Sequence, residues 1–338
     1  MLINIIIPKN LSNQLSLSEI DSWTIEETDP SCFQTIMSGE SVWSLRTFLE
    51  LKRVNYPNLS VSHDFKPEAI NIGHVNTLTQ LIKVLKKPFN GIIVSCDADR
   101  SPFPFADINV KQAPSKSGIF IYHWPEIGII PRNKNRGLKI EKAAYFGVPR
   151  KREALIHDVL ERELAKLGVE YIIINKGKWH DYSEIDLSIA LRSDWRFRGY
   201  RKPGSKLYNS IIAGVPFIGT PEPSYLEYQK PGHSWLEAKK VSEVVAHVQR
   251  LKNNETHYAQ LIAKIDPINE DFFIKKSLSG WIQLLDSISN YGIKKRNKLD
   301  SKIGLLTIKV LQAVKNQPRF TFVTKSLQGY IEARRIVS

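Results

Sequence analysis

The chain has 338 residues, 42% hydrophobic and 24% charged, the balance of a globular protein and a length beyond one ordinary core. No run of eighteen apolar residues occurs, which argues against a membrane-spanning helix, and two cysteines, Cys32 and Cys96, are too few for a disulfide framework or a zinc site. The net charge of +14 calls for anionic partners, and eleven Lys and Arg against two acids place +9 of it in residues 294–338.

The start, MLINIIIPKN, is an apolar run closed by Pro8 without a basic lead-in, so it reads as a buried strand and not as a signal peptide. With so few cysteines the expected setting is reducing and cytoplasmic. SVWSLRTFLELKRV (41–54) has helical spacing and NLSVS is a short strand. HVNTLTQLIKVLKK (74–87) is an amphipathic helix with Val75, Leu78, Leu81, Ile82 and Leu85 on one face. His74 opens it, either as a polar N-terminal residue or as a base or sugar contact. GIIVS is an apolar strand running into a polar loop, CDADR. Ligands of open parallel sheets sit beyond the carboxyl ends of strands, so Asp97 and Asp99 are candidates for an acceptor-side base. ADINVKQAP and IFIYHWP are further strand-like pieces, which makes residues 1–132 a small α/β domain. PEIGIIPRNKNRG (125–137) reads as a linker, with Arg132 and Arg136 as solvated charges or as phosphate contacts.

Strand and helix alternate again from residue 138 to about 290. KAAYFG is a strand, and RKREALIHDVLERELAKLG (150–168) is a helix stopped by Gly168, with Arg150–Arg152 at its start as phosphate contacts or an exposed face. VEYIIIN is uninterrupted and apolar, as expected of a parallel strand buried on both faces. DLSIALRS leads into Arg192–Glu227. That stretch opens with Arg192, Arg196, Arg198, Arg201, Lys202 and Lys206, six cations in fifteen residues against one acid, Asp194. Pro203 and Gly204 break the chain, and Ser205 stands where a helix N-cap belongs. The helix KLYNSIIAG carries Leu207, Ile211 and Ile212 as its stripe and Gly214 as its stop, and the strand VPFIG leads to a Pro-punctuated loop with Glu222 and Glu227. Cations at a helix start make a seat for an anion such as a diphosphate, and carboxylates one strand further on accept hydrogen bonds from hydroxyls. VSEVVAHVQRLKNN closes the unit as a helix. FFIKKSLSGWIQLLDSI and KIGLLTIKVLQAVKNQ (302–317) are helical, the second with a lysine face. Residues 291–338 read as a basic helical tail, either structural packing (in the family named below, against the first domain) or a segment for an anionic membrane surface.

KPxSKLYNxxxAGVPFIG followed by PSYLE resembles the C-terminal half of GT-B-fold glycosyltransferases, where the nucleotide-diphosphate sugar binds. The resemblance spans Ala143 to Leu251 and covers the first half in outline. PEPSYLE stands where an EGFG-type run is familiar, so no subfamily is identified. The implied fold is α/β, with two Rossmann-like doubly wound domains facing a cleft: residues 1–132 on the acceptor side, 138–290 on the donor side, and the tail beyond. The implied activity is metal-independent transfer of a hexose-type sugar, with retention, from a nucleotide-diphosphate sugar to a sugar, lipid or small-molecule acceptor. No cofactor is implied beyond that donor. Residue by residue, the resemblance gives the diphosphate to Arg192 and Lys206, supported by Gly204, Ser205 and Asn209 at the helix start. Tyr208 and Tyr225 fall within the donor site, Glu227 takes donor hydroxyls and orients the donor, and Asp97 or Asp99 supplies a base.

There is no G-x-x-x-x-G-K-[ST], no G-x-G-x-x-G after the first strand and no H-E-x-x-H, and the eight histidines lack metal-ligand spacing. Asp97-Ala98-Asp99 has the letters of a manganese–diphosphate ligand from a different transferase fold, which the cations of the second half make redundant. Two other readings fit the same residues: a sugar-nucleotide epimerase on this fold, and a degenerate transferase acting as a basic nucleotide- or membrane-binding protein. Nucleic acid ranks last, because the tail lacks aromatic residues interleaved with its cations.

Overall fold

Short, largely apolar runs build both sheets, and the computed structural model describes residues 1–9, 16–24, 39–85, 87, 89–116, 118–175, 177–193, 201–229, 235–265 and 270–291. These divide into two units, one of Met1–Trp124 with residues 274–291 and one of Pro125–Phe273.

The first unit begins with β1 (Ile3–Ile6) and α1 (Leu17–Ser22), whose cap pairs Ser16 with Glu19. A continuous helical run follows, Gly39–Ser41, a π-turn Val42–Arg46 and Thr47–Arg53, together α2. Next come β2 (Leu59–Ser62), β3 (Ile70–His74), α3 (Val75–Val84), β4 (Ile92–Cys96), β5 (Ile108–Lys111) and β6 (Ile119–Phe120). The strand order is β2-β1-β3-β4-β5-β6, with every pairing parallel. β1, β3 and β4 are buried throughout, as parallel strands covered on both faces are. The stripe of α3, Val75, Leu78, Leu81 and Ile82, packs on Ile6, Ile93 and Phe103. β3 was not legible in the sequence, because Asn71 and Gly73 interrupt its apolar pattern. Asn71, in the interior strand β3, is held by Asn4 and by the backbone of Lys66 and Ala69. His74 is the N-cap of α3: its Nδ1 accepts the Asn76 N–H at 3.2 Å. Burial, opposed by Glu40, holds its pKa down at about 4.

The second unit runs β7 (Lys142–Phe146), a 3-10 turn Lys151–Glu153, α4 (Ala154–Ala165), β8 (Glu170–Ile174), β9 (Leu187–Ala190), α5 (Ser205–Ile212) and β10 (Phe217–Gly219). It continues with α6 (Pro223–Gln229), β11 (Leu236–Glu237), α7 (Val241–Lys252) and α8 (Glu255–Ile265). Its sheet is also parallel, in the order β11-β10-β9-β7-β8. Helix α9 (Glu270–Tyr291) starts in this unit and continues in the first, where Trp281 meets Trp43 at 6.4 Å between ring centroids. Both units are thus doubly wound α/β sheets, as the repeated strand–helix alternation implied. Among the described residues no helix is long and apolar enough to cross a membrane.

Three local expectations are corrected. VEYIIIN contains β8, an edge strand, so it is not buried on both faces: of Glu170–Ile174 Tyr171 alone is buried, and Ile173 is 36% exposed. PSYLEYQ is not loop but helix α6, with Pro223 at its first position, where a missing N–H is harmless. Arg132 and Arg136 are neither solvated nor open to a phosphate. Both clamp Asp186, at 2.8 Å each, and the carboxylate also accepts the N–H groups of Glu141 and Lys142. Burial pushes Asp186 up, but the bonds from Arg136, the two N–H groups and Arg132 outweigh it, and the carboxyl is held below its ordinary value. The helix 302–317, the tail after Tyr291 and residues Asp194, Arg196 and Arg198 lie outside the described residues.

Candidate anion-binding site at the strand ends of the second unit

In the second sheet the chain leaves β7 for β8 on one side and returns to β9 on the other, a topological switch point. Ligands of such sheets bind beyond the carboxyl ends of the strands flanking that point. The loop Gly147–Arg150 leaves β7 there, Arg192 and Ser193 leave β9, and Thr220–Glu222 leave β10. The N-terminus of α5 supplies Lys206.

Helix α5 is fixed at both ends. Gly204 is its N-cap and makes no side-chain cap bond, so Ser205 is the first helical residue rather than the cap. A side chain at Gly204 would collide with the Tyr208 ring. At the other end Gly214 adopts φ +71, Val215 N–H reaches Ser210 O at 2.8 Å and Gly214 N–H reaches Ile211 O at 2.9 Å, the paired bonds of a Schellman stop.

Lys206 is half-buried, with Nζ over the Tyr145 ring at 4.3 Å from the centroid. Gly147 has φ +136, a conformation that calls for glycine, and a Cβ there would come within 2.6 Å of that Nζ and push the flexible side chain aside. Among the described residues no hydrogen bond or ion pair reaches the ammonium. Burial and the neighbouring Arg192 push its pKa down to about 7, against the opposing pull of Glu222 and Glu153.

Arg192 is placed differently. It is buried, and its Nε lies 2.6 Å from Oε1 of Glu222, which is fully buried, in an ion pair whose N–H does not point along the contact. Burial works to lower the guanidinium pKa, but Glu222, Tyr225, Tyr145 and Glu153 together outweigh it and raise it. Tyr225 completes the group. Its ring is buried edge-on against Phe217 and Trp235, and burial raises its pKa. The structure therefore brings together Arg192, Lys206 and Tyr225 from the expected set and adds Glu222, Tyr145, Gly147 and Glu153. Glu153 has no signal in the sequence beyond a carboxylate near a helix start. Glu153 Oε1 and Ser193 Oγ are sealed from solvent and find no hydrogen-bond partner among the described residues.

Other expected members stand elsewhere. Glu227 is half-buried on α6, and the carboxylate that pairs with Arg192 is Glu222, five residues earlier. Tyr208 is a core residue, stacked on Phe273 at 4.6 Å. Asn209 Oδ1 accepts the Glu126 N–H at 3.1 Å, so it ties down the segment before β7. In the first unit Asp97 is fully buried. Its carboxylate takes Lys111 Nζ at 2.5 Å, Ser95 Oγ at 2.7 Å and the Phe103 N–H at 3.2 Å. Burial raises its pKa against those three bonds. Such a carboxylate is a structural ion pair, not a base open to an acceptor. Asp99 is exposed in the loop beyond β4, after Ala98 at φ +48. Among the described residues no group of three or more His, Cys, Asp or Glu could hold a metal ion.

No protein-family model matches the chain, and no curated protein matches it. Solved structures do. The chain is similar to glycosyltransferases. TarM aligns with a TM-score of 0.48 at 12% identity over 72% of this chain, which spans 58% of TarM. AviGT4, described as a glycosyltransferase of avilamycin A biosynthesis, aligns at 0.41 and 10% identity, covering 70% of this chain and 87% of its own. SsfS6 of Streptomyces sp. SF2575, in complex with thymidine diphosphate, aligns at 0.32 and 12% identity, covering 81% and 84%. All three scores lie below 0.5, so the functional reading rests on this chain's own residues.

Proposed function

We propose that the chain is a nucleotide-sugar-dependent glycosyltransferase of the GT-B type, with Lys206 as the seat of the donor diphosphate. One observation carries this reading. A lysine at a helix N-terminus beyond a switch point has its ammonium over an aromatic face and near a guanidinium, and although Glu222 and Glu153 act on its charge, neither forms an ion pair with it among the described residues. An anion is the missing partner, and the first N–H groups of α5, which have no partner within a helix, favour the same charge.

In such a reaction the nucleoside diphosphate departs and negative charge builds on its phosphate oxygens. A cation already in position stabilises that charge without reorganisation. Lys206 plays this part. Arg192, held by Glu222, adds positive field from behind and does not reach the ligand itself. With the charge supplied by side chains, the transfer is metal-independent in this reading. Retention of configuration follows from the resemblance of the donor half and is tested by the anomer of the product. Asp97 is not the base.

A thermal-shift panel of UDP, GDP, ADP, dTDP and CMP, on wild type and Lys206→Ala, tests the proposal. One nucleoside diphosphate should raise the melting temperature of the wild type, and the variant should lose that rise. No rise with any diphosphate, or an equal rise in the variant, overturns it.

A further inference from the structure

Glu153 is the part of this site that neither the ion pair nor the anion seat uses. It ends the 3-10 turn that follows the Gly147–Arg150 loop, and it is 1% exposed. Oε2 accepts the Arg150 N–H at 3.3 Å, while Oε1 is bonded to nothing among the described residues. A buried carboxylate oxygen is normally bonded, so an orphan one marks a place where a donor is expected. Lys206, Arg192 and Tyr145 all feel its charge, which puts it beside the anion seat. A bare diphosphate would satisfy Lys206, leave Oε1 without a donor and bring like charge near it. A ligand carrying a hydroxyl next to its diphosphate satisfies both groups.

We propose that Glu153 is a specificity-determining residue whose Oε1 accepts a hydroxyl of the sugar carried on the diphosphate, so that the site prefers a nucleotide sugar to the bare nucleoside diphosphate. This rests on Lys206 as the diphosphate seat. Oε1 is sealed from solvent in this structure, so a hydroxyl reaches it only when a neighbouring side chain shifts, and Lys206, held by the Tyr145 face, is the one that a bound anion would draw outward. In Glu153→Gln one amide oxygen still caps Arg150, and an amide nitrogen replaces the acceptor at the same volume.

The test is calorimetric titration of wild type, Glu153→Gln and Glu153→Ala. The ligands are UDP, GDP and dTDP, each alone and as its glucose, galactose and N-acetylglucosamine conjugates. Wild type should bind one conjugate more tightly than its parent diphosphate. Glu153→Gln should weaken that conjugate by about 10- to 100-fold, the worth of one charge-assisted hydrogen bond, while the parent stays within about twofold. An unchanged conjugate affinity in both variants overturns the proposal. So does an equal loss on parent and conjugate, which would assign Oε1 to the base. An equal gain on both would make Glu153 a repulsive counter-charge only, and a wild type that binds no conjugate better than its parent also overturns it. A wild type that binds none of the three diphosphates instead refutes the diphosphate seat, a separate failure.

Discussion

Because Lys206 is held near pKa 7 in the empty site, diphosphate binding should take up a proton above neutral pH. Only the charged ammonium is a partner for the anion, and the bound anion restores the pKa toward that of an ordinary lysine. Affinity then falls as pH rises, by roughly twofold at pH 7 and about tenfold for each further unit up to pH 9. On the acid side the second ionisation of the terminal phosphate, near pH 6, favours binding as pH rises, so affinity should peak between about 6 and 7. Among the described groups that act on Lys206, Lys202 is a second amine, and the Lys206→Arg variant below separates its effect. His157 is already neutral with a pKa of about 4, and burial pushes the Tyr145 hydroxyl up. Arg192 stays charged, since its pKa is raised above the ordinary guanidinium value. Isothermal titration with the diphosphate found in the panel, at pH 6 to 9 and in buffers of different ionisation enthalpy, reads both slope and proton uptake. Uptake should approach about one proton at pH 8 and above. Lys206→Arg, whose guanidinium does not titrate, should bind with little pH dependence above 7. A flat wild-type affinity from pH 7 to 9, or the same slope in Lys206→Arg, refutes the reasoning.

Other consequences follow from the buried charges and the helix stop. Asp186→Ala leaves Arg132 and Arg136 without their shared carboxylate and should cost about 3–5 kcal/mol in urea unfolding. Since the folded pKa of Asp186 is depressed, that difference should be full above about pH 4 and shrink as pH falls through the folded value. Asp97→Asn removes the counter-ion of Lys111 and should lower the melting temperature while leaving nucleotide affinity unchanged, whereas a base would lose turnover without losing stability. Gly214→Ala forces an alanine to φ +71 and should destabilise by about 1–2 kcal/mol in chemical denaturation.

What the sequence disclosed was local. The stripe of α3, the Gly214 stop and the strand after it are written within a few residues of one another, so spacing alone exposes them. The anion seat was legible for the same reason, since breaker, helix start and Lys206 are contiguous. What escaped depends on partners far along the chain. Asp97 looks like a loop carboxylate until β5 brings Lys111 beside it from fourteen residues away. Arg132 and Arg136 look solvated until Asp186 arrives from fifty or more residues on. Glu222 and Glu227 look like equivalent loop carboxylates in the sequence because the choice turns on where α6 begins: Pro223 starts a helix that carries Glu227 and leaves Glu222 before it. Glu153 required knowing what its second oxygen lacks.

Lys206 as the diphosphate seat is tested most directly by a crystal structure with the nucleoside diphosphate that stabilises the protein. A phosphate oxygen should lie about 3 Å from Lys206 Nζ, at the N-terminal end of the Ser205–Ile212 helix, with the ammonium drawn off the Tyr145 ring. A diphosphate bound elsewhere, with Lys206 still on that ring, would contradict it.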